Sequence, residues 1–64
     1  MSLELKELLK LLALSDELTY RVDEALKELE QTNLQQVKGV LKTIRSYIDL
    51  LRRELEVKAE EVME

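Results

Sequence analysis

Cysteine, histidine, proline, tryptophan and phenylalanine are all missing from this 64-residue chain, and glycine occurs once, as Gly39. Each absence removes a class of explanation. Without cysteine no disulfide can brace a small fold, and without cysteine or histidine the usual zinc sites have no ligands. A nucleophile needs an activating base, and only hydroxyls, lysines and carboxylates remain to serve. A single glycine cannot build a phosphate-cradling loop. The Glu-x-x-His pairs of dinuclear helical bundles cannot be written without histidine. The serines fall at expected helix starts (Ser2, Ser15) or on a helix surface (Ser46), where hydroxyls are ordinary. The expectation is therefore no enzyme: no catalytic residue, no metal and no cofactor.

Long apolar runs are scarce as well. The richest stretch, Leu3 to Leu14, is too short to cross a bilayer and is interrupted by Glu4, Lys6, Glu7 and Lys10. No basic segment precedes it and no Ala-x-Ala site follows it, so it does not read as a signal peptide. We expect a soluble, cytoplasmic protein without a membrane partner, folded as one domain over residues 1–64. At this size a chain buries only about 60% of the surface its unfolded form exposes. With disulfides and metals excluded, regular helix packing and oligomerisation are left to make up the deficit.

What is present is leucine, glutamate and lysine, the composition of helical bundles and coiled coils. From Leu34 to Val62 the apolar residues Leu34, Val37, Leu41, Ile44, Ile48, Leu51 and Leu55 alternate steps of three and four. This is the heptad seam of a helix packed lengthwise against others, and such a helix would be roughly 43 Å long. Val40 and Tyr47, then Leu50 and Val57, widen the seam beyond what one neighbour covers. Gly39 lies outside it, at a cost of about 1 kcal/mol relative to Ala. It marks either a close approach by a neighbour or a tolerated expense. From Glu56 onward Lys58 takes a seam position and acids crowd the end, so the last turns should fray.

Two shorter stripes precede the long helix. Ser2 can cap a first helix opened by Leu3, whose stripe is Leu5, Leu8, Leu9 and Leu12. Ser15 followed by Asp16 and Glu17 reads as a fresh helix start, and the stripe of Leu18, Val22, Ala25, Leu26 and Leu29 is rotated by roughly 90° from the first. A break or kink at Ser15 is expected, over segments of about 3–14 and 16–31. Against it, Leu8, Leu11, Leu18, Val22 and Leu29 share one heptad phase, which a continuous helix would use. Gln31-Thr32-Asn33 is the turn, with Asn33 suited to a left-handed helix end and Thr32 to a capping box with Gln35. So short a connection makes the flanking helices antiparallel neighbours.

Charge is divided along the chain. Residues 1–33 carry eight acids and four bases, residues 34–53 five bases and one acid, and residues 54–64 five acids and one base, for nets of −4, +4 and −4. Lys38, Lys42, Arg45 and Arg52 share one face of the long helix, with Arg53 beside them. Such a ridge could bind phosphates. It could equally pair with Asp23, Glu24, Glu28 and Glu30 of the neighbouring helix and fix its register. A helix-turn-helix reading of residues 22–45, with Gln35 and Gln36 as base readers, meets a second helix far longer than a recognition helix and a seam that demands burial. The acidic pairs Asp16/Glu17, Asp23/Glu24 and Glu60/Glu61 are solvated helix faces.

These features add up to an all-α antiparallel bundle in which two short N-terminal helices, or one kinked helix, pack along a long C-terminal helix and two chains dimerise. The function expected is a non-enzymatic, self-associating interaction or adaptor protein, with a homodimer favoured and a further protein partner allowed. The interface and core would comprise Leu8, Leu11, Leu12, Leu18, Val22, Leu26, Leu29, Leu34, Val37, Leu41, Ile44, Ile48, Leu51 and Leu55. The alternative is a small nucleic-acid-binding regulator acting through Lys38, Lys42, Arg45, Arg52 and Arg53.

Overall fold

The computed structural model describes residues 4–64, and over that range the chain is all-helical. Helix α1 spans Leu5–Glu28 and helix α2 spans Gln35–Met63, and the two pack against each other. Contacts of Asp16 with Arg52 and of Asp23 with Arg45 step by seven residues in opposite directions, so the helices form an antiparallel hairpin in one register.

Neither α1 nor its flanks contain proline or glycine, and good helix formers fill its outer positions. It opens at Glu4, whose extended backbone (φ −76°, ψ 157°) presents a carbonyl to the Leu8 N–H at 3.0 Å, without a side-chain cap. Glu7 in the first turn and Lys27 in the last suit the helix dipole. The helix start expected at Ser2 and Leu3 lies outside the described residues.

The break expected at Ser15 is absent: α1 passes through it as one helix. Ser15 is not a cap but a seam residue, only 1% exposed, whose hydroxyl donates to the Leu12 carbonyl at 2.7 Å. A hydroxyl satisfied by its own helix needs no partner across the seam, and its small volume lets α2 come close. The inward row of α1 is Leu5, Leu8, Leu12, Ser15, Thr19, Val22, Leu26 and Leu29, all buried or half-buried. Its steps alternate three and four through both expected segments. The apparent rotation between stripes arose from counting Leu9 and Leu18, which face outward, and from passing over Ser15 and Thr19, which face inward.

Helix α2 shows the same kind of shift. Its inward row is Lys38, Leu41, Arg45, Ile48, Arg52, Leu55 and Ala59. Leu41, Ile48 and Leu55 belong to the seam read from the sequence, whereas Val37, Ile44 and Leu51 lie one residue before inward positions and remain exposed. Leu34, just before the helix, is exposed too. The core is densest at the open end of the hairpin, where Leu8, Leu55 and Ala59 are buried with Leu5 and Leu12 packed against them. Ala59, not Lys58, holds the last inward position, and the helix keeps its bonds through the Glu64 N–H to the Glu60 carbonyl at 3.2 Å rather than fraying.

At the closed end, α1 tightens into i→i−3 bonds from Glu30 to Lys27 and from Thr32 to Leu29, at 3.2 and 3.0 Å. Thr32 does not cap α2. Its hydroxyl donates to the Leu29 carbonyl at 2.8 Å and so closes α1. Asn33 does not adopt the left-handed conformation, and Leu34 stands at the start of α2 without a side-chain cap. Instead the Lys38 ammonium reaches back to the Thr32 carbonyl at 2.8 Å and ties the connection down. The result is a rod of 48 × 17 × 15 Å. Its radius of gyration is 14.7 Å, against about 10.7 Å for a compact domain of this length.

The seam makes three substitutions diagnostic. Ser15→Ala should shift the unfolding free energy by less than about 0.5 kcal/mol, because alanine favours helix and no cap is lost, whereas Ser15→Leu should cost about 1–3 kcal/mol by overpacking. Ile48→Asp should unfold the hairpin, since an unpaired buried charge costs several kcal/mol. Urea titration followed by circular dichroism measures all three.

Candidate interaction surface

The hairpin has two long flanks of opposite character. Asp16 and Asp23 follow the inward residues Ser15 and Val22, and Asp49 and Glu56 follow the inward Ile48 and Arg52-Leu55 turn on α2. Arg45 Nε donates to Asp23 Oδ1 at 3.0 Å and its other arm engages Asp49. Arg52 Nε donates to Glu56 Oε1 at 2.9 Å while its terminal nitrogen engages Asp16. Both arginines thus start in the seam, lay their stems along it and deliver their heads to carboxylates of both helices on one side. Hydrogen bonding to Asp23 above all, and then to Asp49, holds the Arg45 guanidinium above its ordinary pKa, so it is a cation throughout the working pH range.

The opposite flank is made by the residues that precede inward positions. On α1 these are Leu11 and Leu18, with Leu14 alongside; on α2 they are Val37, Ile44 and Leu51, with Val40 and Tyr47 alongside. All eight are between 38% and 67% exposed. Half the surface of a large aliphatic side chain is on the order of 80 Å². The eight therefore supply roughly 600–700 Å², close to the ~800 Å² each partner gives to a standard interface and more than a lone monomer usually leaves in one patch. The whole chain exposes 5450 Å² at 7.5 kDa, against about 4,200 Å² for a compact monomer of that mass.

Within α2 the flank is not flat. Gln36, Gly39, Val40, Thr43, Ile44 and Tyr47 line a shallow apolar groove along its outer side. A Cβ at Gly39 would meet nothing within 4 Å, so no part of the hairpin itself accounts for the glycine.

The residues singled out from the sequence divide accordingly. Leu8, Ile48 and Leu55 are buried, and Leu12, Val22, Leu26, Leu29 and Leu41 are half-buried in the seam. Leu11, Leu18, Leu34, Val37, Ile44 and Leu51 are exposed. Among the cations, Lys38, Arg45 and Arg52 are drawn into contacts within the hairpin. Lys42 and Arg53 are exposed and have no ion pair among the described residues. Of the acids named as partners for the ridge only Asp23 serves; Asp16 was missed, although its seven-residue spacing from Asp23 matches that of Arg45 and Arg52. Among the described residues no acidic cluster is arranged to hold a metal ion, and no helix is long and apolar enough to cross a membrane. No family model matches the chain, and comparison with curated proteins and with solved structures yields no match.

The ion-paired flank makes a testable register lock. Reversing Arg45→Asp or Asp23→Arg alone should lower the melting temperature at low salt, and the two together should recover most of the loss. The recovery should shrink in high salt, where exposed pairs are screened.

Proposed function

We propose that this chain is a non-enzymatic, self-associating helical interaction protein whose working surface is the apolar flank of the hairpin. The observation that carries the reading is the separation of the two flanks: every ion pair between the helices lies on one side, and eight large apolar side chains stand half-exposed on the other. A hairpin meant to stand alone gains nothing from a second apolar side. The buried core of four apolar residues, Leu8, Ile48, Leu55 and Ala59, is also thin for an isolated domain. A second copy of the same hairpin brings a surface of matching chemistry, and dimerisation would cover apolar side chains that a single hairpin leaves exposed.

The nucleic-acid alternative is weaker on the same geometry. A ridge for phosphates needs its cations free, and Lys38, Arg45 and Arg52 already hold partners in the hairpin.

Sedimentation across a dilution series from about 100 μM to about 1 μM should report a dimer that dissociates, with helicity falling as it does so. Ile44→Asp should be monomeric over the whole range, because Ile44 lies on the flank rather than in the seam. A wild-type chain that stays monomeric and fully helical throughout would overturn the reading.

A further inference from the structure

The apolar surface is lopsided, and that asymmetry selects one way of pairing. On the apolar flank the row of α2 runs from Val37 to Leu51 and gives way to Glu54 and Lys58 toward the open end; the row of α1 runs from Leu11 to Leu18 and gives way to Arg21 and Glu28 toward the connection. Stacking two hairpins with their connections at the same end would set the α2 row against Arg21, Ala25 and Glu28 of the second copy's α1. Apolar surface would then meet charge. Turning the second copy end over end instead sets α2 against α2, antiparallel. The row Val37, Val40, Ile44, Tyr47 alternates steps of four and three and reads as the same apolar pattern in both directions.

Resting on the proposed self-association, we infer that two copies join through α2 alone, antiparallel, about a two-fold axis between Val40 and Ile44. Antiparallel layering places Val40 opposite Ile44 of the second copy, and Val37 opposite its Tyr47. The shallow apolar site lined by Gln36, Val37, Val40 and Leu41 receives the second copy's Ile44, and the reciprocal site receives the first. No charge opposes the contact, because Arg45 and Arg52 are neutralised on the far flank. The contact is isologous, so it closes at two copies and does not propagate into filaments.

The absence of cysteine makes the test clean. Val40→Cys and Ile44→Cys chains, mixed and oxidised, should give at least fivefold more disulfide-linked dimer than either alone, and Leu14→Cys should give none. All three positions are exposed in the hairpin, so none of the substitutions removes a buried contact within it. A wild-type dimer without enrichment of the mixed disulfide, or with Leu14→Cys cross-linked instead, overturns this arrangement and leaves self-association standing. A wild-type chain that is monomeric at the same concentration overturns both.

Discussion

Three of the seven inward positions of α2 are cations: Lys38, Arg45 and Arg52. A charge cannot be sealed between two helices without large desolvation cost. These side chains escape it by running along the seam and ending at acceptors outside it, Thr32 for Lys38 and carboxylates for the arginines. The escape has a direction, set by where the acids stand. Asp16, Asp23, Asp49 and Glu56 all lie on one flank, so that flank becomes the polar one, and its pairs hold the antiparallel register. Every other feature of the hairpin follows. Ser15 sits in the seam with its hydroxyl satisfied by the Leu12 carbonyl, and the opposite flank carries no ion pair between the helices among the described residues.

The heptad rhythm, the turn near residues 29–34 and the packing of two helices were legible in the sequence because each depends on apolar spacing or on a short polar connection. The phase of the seam was not. Counting hydrophobic residues selects the row that includes Val37, Ile44 and Leu51, since it contains no charge; the hairpin uses the row one residue further on, which contains three. Side-chain length decides the matter, because an arginine can satisfy its stem in the seam and its head in water, a property no apolar count registers. Ser15 misled for a related reason. A serine before two acids has the chemistry of a cap, and the same serine inside a seam satisfies itself on the Leu12 carbonyl. Asn33 and Thr32 have the residue types of a capped start, yet the Thr32 hydroxyl donates to the Leu29 carbonyl at 2.8 Å and accepts only from the Leu34 N–H, at 3.4 Å.

The phase shift also alters what the surplus of leucines means. Read as one wide stripe, the apolar residues of the long helix call for a neighbour that covers everything. In the hairpin they divide into a narrow inner row that α1 covers and an outer row that it does not. The inner row has only Ile48, Leu55 and Ala59 fully buried on α2, so the intrachain contact is modest. Under the proposed pairing the outer row contributes burial of the same order, and folding and association become one equilibrium. That coupling would account for a chain without cysteine and with a single glycine that keeps two helices of 24 and 29 residues.

Charge segregation along the chain acquires its purpose in the same geometry. The acidic first half of the chain, through Asp16 and Asp23, lies against the basic middle of α2 within one molecule, so much of the field of the middle segment is spent on its own hairpin. Were Arg45 and Arg52 to point to the other flank, two copies approaching through α2 would bring four guanidinium groups together in a partly dry contact. Such like-charge juxtaposition costs several kcal/mol. With the pairs on the far side, the approaching surfaces are uncharged between Val37 and Leu51 apart from residues at their margins. Choosing which side of the seam carries the acids therefore selects both the register inside the hairpin and the side on which the proposed second copy is admitted.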